Sequence, residues 1–391
     1  MRRGQGVAKM SCVHTVRPAV RAGSSAPRAP RIALVSLVIA VLGAAIRIAV
    51  LEVLAAANGQ ELWDQLLAWD AEYYVAIARA GYLDADIAFD GPVYEKTMAF
   101  FPGFPLLLKI VSWTGINIAL AALLINTLLV AVLAAGVMVL ARRLGARQGG
   151  QIASAIVVTS APMSIVFSMP YSEALFGALA VWGLVALDDR VWWRAGLFGF
   201  GLALTRLTAV DFLVVFGLWV LLYGRRNWRA WLGLCLAAMP LPAYLLWTQH
   251  YLADAGGYFG IQEKYWDSAF DGGADTVRFV WKALTEATNV GYLLTALAIL
   301  AVPVLLAVTW GKVQPVAWWF SAVLMANVLL SSGIQHSRPR LLLPAAVLFI
   351  PWAVRAVAGR TPRAGWAGIA AWVLWSAWFS AYMLVVFEWA I

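Results

Sequence analysis

The chemistry available to this chain starts from one carboxylate set among aromatic rings. Asp70 stands in Leu67-Ala68-Trp69-Asp70-Ala71-Glu72-Tyr73-Tyr74. A carboxylate that faces rings rather than water is suited to take a proton from a hydroxyl. The competing role is structural, with Asp70 capping a short helix that starts at Ala71, and the two roles can coexist. Glu72 points elsewhere by helical geometry and is expected in solvent. The matching cations are Arg338 and Arg340, with His336 beside them. A guanidinium fork matches phosphate oxygens, although the same residues could anchor to ordinary lipid headgroups. Arg206 has Asp211 five residues on, so a structural ion pair competes with ligand binding there. Glu173 follows Tyr171-Ser172 at an expected helix start, where it could orient an acceptor or Arg206, or simply favour the helix N-terminus.

Other motifs carry less. Asp84-Ala85-Asp86 with Asp90 could hold a divalent cation, but a solvated acidic loop is the ordinary explanation and no cofactor is expected. His14, His250 and His336 are too scattered for a zinc site. Neither a P-loop lysine motif nor a G-x-G-x-x-G after a strand occurs, so nucleotide hydrolysis has no support.

These side chains must be held by membrane helices. The chain has 391 residues, of which 63% are hydrophobic and 13% charged. Apolar runs of about 18 residues or more recur along it, the length of a bilayer-crossing helix. Reading them in order gives about eleven spans, near 32–54, 118–141, 152–168, 174–187, 195–204, 212–223, 230–251, 290–310, 316–331, 341–354 and 366–387. Ala55-Ala56-Ala57 resembles a cleavage site, but the preceding apolar stretch is longer than a signal-peptide core, so an uncleaved helix is expected. Arg47 lies inside this first span, facing a site or snorkelling to the interface.

The net charge of +9 is a topology signal rather than a sign of nucleic-acid binding, because the basic residues gather between apolar runs. Residues 1–31 hold seven Lys/Arg and no acid, and read as a disordered cytoplasmic tail. With that tail inside, Arg142, Arg143, Arg147, Arg190, Arg194, Arg225, Arg226, Arg229, Lys312, Arg355, Arg360 and Arg363 are all cytoplasmic, with only Asp188 and Asp189 as acids. Two long loops, about 55–99 and 252–289, then fall outside and carry most carboxylates. The expected organisation is the tail 1–31 followed by one membrane domain over 32–391, all-α and polytopic. In the first loop Trp63, Leu66, Leu67, Tyr74, Ile77 and Ala78 share one helical face with Asp70. In the second, Phe279, Val280, Trp281 and Ala283 suggest a helix lying in the interface. Cys12 and Cys235 provide no disulfide framework.

Trp69-Asp70-Ala71-Glu72-Tyr73-Tyr74 followed by Ile77-Ala78, Gly81-Tyr82 and Phe100-Phe101-Pro102-Gly103-Phe104-Pro105 resembles the N-terminal signature of the PIG-V type mannosyltransferases. These are GT-C fold enzymes related to the GPI mannosyltransferases, with bacterial members. The resemblance continues in order through Pro170-Tyr171-Ser172-Glu173-Ala174-Leu175-Phe176, Leu204-Thr205-Arg206-Leu207-Thr208 and Ser337-Arg338-Pro339-Arg340-Leu341-Leu342-Leu343-Pro344. It departs at Leu207-Thr208-Ala209, where a Pro-Thr-Gly-like turn is expected, and at Arg338-Pro339-Arg340, where an aromatic commonly follows the arginine.

The resemblance implies transfer of mannose from a polyprenyl-phosphate carrier to a hydroxyl of a lipid or glycan acceptor outside the cell membrane. It implies Asp70 as the base. Arg338, Arg340, Arg206 and His336 would then hold the donor phosphate, while Trp69, Tyr74, Tyr171 and Glu173 would stand on the acceptor and sugar side. The alternative is a polytopic transporter or lipid flippase, which would place ionisable residues near the bilayer midplane. Arg47, Glu173, Arg206 and Asp211 all map toward the outer side instead.

Overall fold

In a bilayer the backbone has no water to bond, so apolar runs fold as helices that satisfy their own N–H and C=O groups. A computed structural model describes residues 29–286, 288–359 and 361–389. Residues 1–28, with Cys12 and His14, and Arg360 lie outside the described residues, while the last residues assigned to the tail already belong to the first helix. In chain order the helices are α1 (Ala29–Ala57), α2 (Leu62–Leu66), α3 (Asp70–Ala80), α4 (Tyr94–Thr97), α5 (Gly103–Ser112), α6 (Ile118–Arg143) and α7 (Gln148–Thr159). They continue with α8 (Glu173–Asp188), α9 (Trp192–Ala203), α10 (Ala209–Trp219), α11 (Trp228–Ala238), α12 (Pro240–Leu252), α13 (Gly257–Trp266) and α14 (Ala274–Thr285). The remainder are α15 (Val290–Thr309), α16 (Pro315–Leu329), α17 (Arg338–Leu341), α18 (Ile350–Ala358) and α19 (Pro362–Val385). Among the described residues no strand forms, and the expected all-α polytopic architecture holds.

Among the described residues, five helices are by length and composition apolar enough to cross a membrane: Pro30–Ala57, Ile118–Arg143, Trp228–Ala255, Val290–Thr309 and Pro362–Val385. Gln335–Leu341 and Leu343–Ala358 make a sixth if this pair, bent by 57°, is one broken span. That is fewer than the eleven apolar runs. The runs near 152–168, 174–187, 195–204, 212–223 and 316–331 fold as α7, α8, α9, α10 and α16, of 12, 16, 12, 11 and 15 residues. Apolar composition serves a buried helix as well as a lipid-facing one. Helix α8 illustrates this, since twelve of its residues are buried, from Glu173 to Leu187.

The run near 152–168 is interrupted. Helix α7 stops at Thr159, Met163 takes a left-handed φ of 65°, and a 3-10 turn spans Ser164–Ser168. The freed polar groups need partners. Arg47 Nη1 donates to the Thr159 carbonyl at 3.3 Å and its Nε to Ser168 Oγ at 3.1 Å. Asn126 Nδ2 donates to the carbonyls of Met169 at 2.6 Å and Tyr171 at 3.0 Å. Arg47 is only 3% exposed, so it does not snorkel to the interface; its hydrogen bonds hold this break together.

Helix α6 separates two chemically different ends. In its first half Ala122 and Ile125 pack in one apolar cluster with Tyr74, Ile77 and Phe104. At its last residue Arg143 pairs with Asp188 and Asp189, each at 2.7 Å. Ile125 and Arg143 are about 27 Å apart along the axis at 1.5 Å per residue. The Asp70 region and the basic loops thus lie at opposite ends of one span.

Candidate active site

Asp70 is positioned by a break in the helical face expected around it. Helices α2 and α3 are separate because the chain turns at Leu67–Trp69, where Trp69 adopts φ 62° and ψ −128°. A bulky residue at positive φ is strained, and such strain is held only where surrounding packing fixes it. The N-cap position of α3 is Trp69 and carries no side-chain cap bond, so the capping role for Asp70 is not the one adopted. Its carboxylate turns to Arg340 instead, Oδ2 to Nη2 at 2.6 Å. Glu72 is exposed, as its helical position requires.

Tyr171 joins the two members of this pair. Its hydroxyl accepts the Asp70 backbone N–H at 3.2 Å, and the Arg340 guanidinium lies 5.1 Å from its ring centroid. A second acid–base pair sits alongside, where Arg206 bonds Glu173. Arg206 was paired with Asp211 as one alternative, but Asp211 accepts from Asn327 Nδ2 at 2.9 Å. The Tyr74 hydroxyl shares a hydrogen bond with Ser172 Oγ at 2.8 Å. Burial holds that hydroxyl protonated, well above the ordinary tyrosine range, against the opposing effect of Arg206.

Asp70, Tyr74, Arg206, Arg338 and Arg340 all line one cavity of about 640 Å³, within the size range of small-molecule sites. Behind the arginines is a small pocket of about 20 Å³, bounded by Glu173, Arg206 and Arg340 against Phe167, Phe176 and Val181. Arg340 Nε and Nη1 have no hydrogen-bond partner among the described residues.

Of the other expected site residues, Tyr171 and Glu173 are not among the cavity-lining residues. Arg338 lines the cavity but donates to Thr276 Oγ1 at 2.6 Å, to the Val328 carbonyl at 2.7 Å and to the Ser331 carbonyl. His336 packs edgewise on Phe387 with ring centroids 5.3 Å apart and is not part of the cavity lining, nor is Trp69. Asp84, Asp86 and Asp90 are exposed, and among the described residues no cluster of three His, Cys, Asp or Glu could hold a metal ion.

Sequence reasoning missed the opposite wall, formed by Gln262 and Trp266 of α13, Phe270, and Asn327 of α16. Asn327 was legible as a lone amide in an apolar run. The two loop segments meet at this wall. Lys96 lies 4.3 Å and 5.2 Å from the ring centroids of Tyr265 and Trp266, and Glu95 pairs with Lys264 at 2.8 Å. The hydrogen bonds from Lys264 and Tyr265 hold the Glu95 carboxyl below its ordinary range. Tyr244 donates to the carbonyls of Met98 and Phe100, and Tyr258 to that of Ala99, which fixes the approach to the cavity. At Gly103 the backbone N–H donates to the Leu204 carbonyl at 2.7 Å, where a Cβ would come within 2.8 Å of that oxygen. The glycine of Phe-Pro-Gly-Phe-Pro therefore lets α5 meet the segment that carries Arg206.

One carboxylate, two guanidinium groups and a cavity of substrate size can accept a hydroxyl proton beside an anionic leaving group. Residues 41–218 match the family model described as Mannosyltransferase (PIG-V), a little under half of the chain. It includes Asp70, Tyr171, Glu173 and Arg206, while Arg338 and Arg340 lie beyond it. The chain is also similar to a mouse (Mus musculus) protein, GPI alpha-1,6-mannosyltransferase 2, with 33% identity over 144 residues. That alignment covers 33% of this chain and 26% of the relative, so the chain matches about a quarter of the relative's length.

Proposed function

We propose that this protein is a membrane-embedded, inverting mannosyltransferase. In this reading it moves a mannosyl residue from polyprenyl-phosphate-mannose to a hydroxyl of a lipid or glycan acceptor on the extracytoplasmic face. The observation that carries the proposal is the Asp70–Arg340 pair, 2.6 Å apart on the wall of a cavity that Arg206 also lines. The PIG-V family match over 41–218 supports mannosyl transfer as the chemistry.

Asp70 is the base. The acceptor hydroxyl gives its proton to the carboxylate as its oxygen bonds to the anomeric carbon. The bond from that carbon to the phosphate oxygen breaks, its electron pair leaves with polyprenyl phosphate, and the configuration inverts. A phosphate monoester is already a good leaving group, so no general acid is required. Arg340 and Arg206 meet the phosphate charge, with Glu173 holding Arg206 in place. Tyr171 holds the Asp70 backbone through its hydroxyl, and Tyr74 lines the cavity. The basic loops lie about 27 Å from the Asp70 end along α6, and the excess of Lys/Arg on cytoplasmic loops supports an extracytoplasmic site and a cytoplasmic N-terminus.

The donor distinguishes this reading. Nucleotide sugars are cytoplasmic, so an external site must receive its sugar on a lipid. Purified protein is expected to transfer mannose from polyprenyl-phosphate-mannose and not from GDP-mannose. Efficient transfer from GDP-mannose alone would overturn the assignment.

A further inference from the structure

The last carbonyls of a helix lack intrahelical partners, and each must be met from outside. At the end of α16 the partners are specific. Arg338 Nη1 donates to the Val328 carbonyl at 2.7 Å, and Thr276 Oγ1 to that of Leu329 at 2.7 Å. The Asp271 N–H donates to the Leu330 carbonyl at 3.2 Å, and Arg338 Nη2 to that of Ser331. Arg338 Nη1 also reaches Thr276 Oγ1 at 2.6 Å, so one buried guanidinium joins α14 to the end of α16. A cation here also complements the negative end of the helix dipole. The start of α14 is fixed in turn by Asp271, whose carboxylate accepts from the N–H groups of Gly273 at 2.8 Å and Asp275 at 2.7 Å. Val328, Leu330 and Ser331 are wall residues of the cavity, so whatever holds α14 bears on the cavity's shape.

The outer face of α14 is apolar and uncovered. Val277, Trp281 and Leu284 are 71%, 67% and 53% exposed, at the i, i+4, i+7 spacing of one helical stripe. Exposed Lys282 stands next to that stripe, as does Arg278, which pairs with Asp275 at 2.6 Å, while Thr276 and Ala283 are buried on the inner side. Phe279 packs on Tyr292 in the first turn of α15, with ring centroids 6.2 Å apart. Since α15 is a candidate span starting at Val290, α14 lies at the end of a membrane-crossing helix. An apolar stripe bearing a tryptophan, flanked by cations and placed at that level, fits an anionic headgroup layer.

We propose that α14 is seated in an anionic lipid headgroup layer and that Arg338 is a positioning residue fastening it to the cavity wall, in place of a contact to substrate phosphate. Neither contact involves a substrate, so the test needs no transfer assay and can fail independently of the mannosyl reading. Full-length protein with Cys12→Ser and Cys235→Ser is labelled with an environment-sensitive fluorophore at Val277→Cys, or at Asp84→Cys as control. It is reconstituted in vesicles of phosphatidylethanolamine and phosphatidylglycerol. The Val277 label should be quenched by headgroup-proximal lipid nitroxides and shielded from aqueous iodide, and the Asp84 label should behave oppositely. Hydrogen exchange then reads the tie. Thr276→Val and Arg338→Gln should each speed exchange in both 274–285 and 326–332, by about tenfold, with no further gain in the double variant. Thr276→Ser, which keeps the hydroxyl, should match wild type. If Arg338→Gln does not fold, Thr276→Val and Thr276→Ser carry the comparison alone. Iodide access at Val277, or loosening of 326–332 with 274–285 unchanged, would overturn the proposal.

Discussion

Replacing Arg340 with glutamine removes the cation from a pair whose side chains are 10% and 20% exposed. Taking one partner from a fully buried pair costs about 3–5 kcal/mol, because the other charge is left uncompensated. Asp70 retains contact with the cavity, so the loss should fall nearer a single charge-assisted hydrogen bond, about 1.5–3 kcal/mol. The cation–π contact of Arg340 with Tyr171, at 5.1 Å, disappears as well and adds about 0.5–1 kcal/mol. We therefore expect Arg340→Gln to destabilise the protein by about 2–4 kcal/mol in equilibrium denaturant titration in micelles. Adding Asp70→Asn removes the stranded charge, so the double variant should be more stable than the sum of the single losses by about 1.5–3 kcal/mol. Strict additivity of the two substitutions, within about 0.5 kcal/mol, would refute a direct Asp70–Arg340 interaction.

Gly103→Ala should cost about 1–3 kcal/mol in the same titration, since the new methyl meets the Leu204 carbonyl at 2.8 Å. It should also slow transfer by displacing Arg206, and wild-type stability would contradict this close approach. The Glu95 contacts predict an acid-sensitive step. Hydrogen bonds from Lys264 and Tyr265 depress the folded carboxyl, so its stabilisation is present above the unfolded glutamate value of about 4.3 and is lost as pH falls through the lower folded value. The difference in melting temperature between wild type and Glu95→Gln should therefore be largest near neutrality and close toward zero in strong acid. A difference that persists unchanged in acid would count against the pair.

The helical membrane fold and the Asp70 block were legible because both are local. Long apolar runs report on their own helices, and Trp69 to Tyr74 are neighbours in sequence. The partner of Asp70 was not legible. Arg340 was one of several arginines suited to phosphate, and nothing local tells a guanidinium that meets a carboxylate from one that caps helix carbonyls, as Arg338 does. The Arg206–Glu173 contact was one of the alternatives read for Glu173, but sequence alone could not choose it over Asp211, nearer to Arg206 along the chain. Apolar runs alone do not tell a lipid-facing helix from a packed one: α8 is as apolar as a lipid-facing helix but is packed inside the protein. Arg47 was expected to face a site or snorkel, whereas with Asn126 it satisfies carbonyls around the break after Thr159.

The central claim is that the Asp70 carboxylate accepts the acceptor proton, and single-turnover transfer from polyprenyl-phosphate-mannose by the Asp70→Asn variant tests it most directly. Asparagine keeps the size of the side chain and its place in α3 but cannot take the proton. The account predicts an intact fold, retained donor binding and a rate lower by at least about a hundredfold, the lower end for general-base catalysis. Transfer by Asp70→Asn at close to the wild-type rate would contradict it.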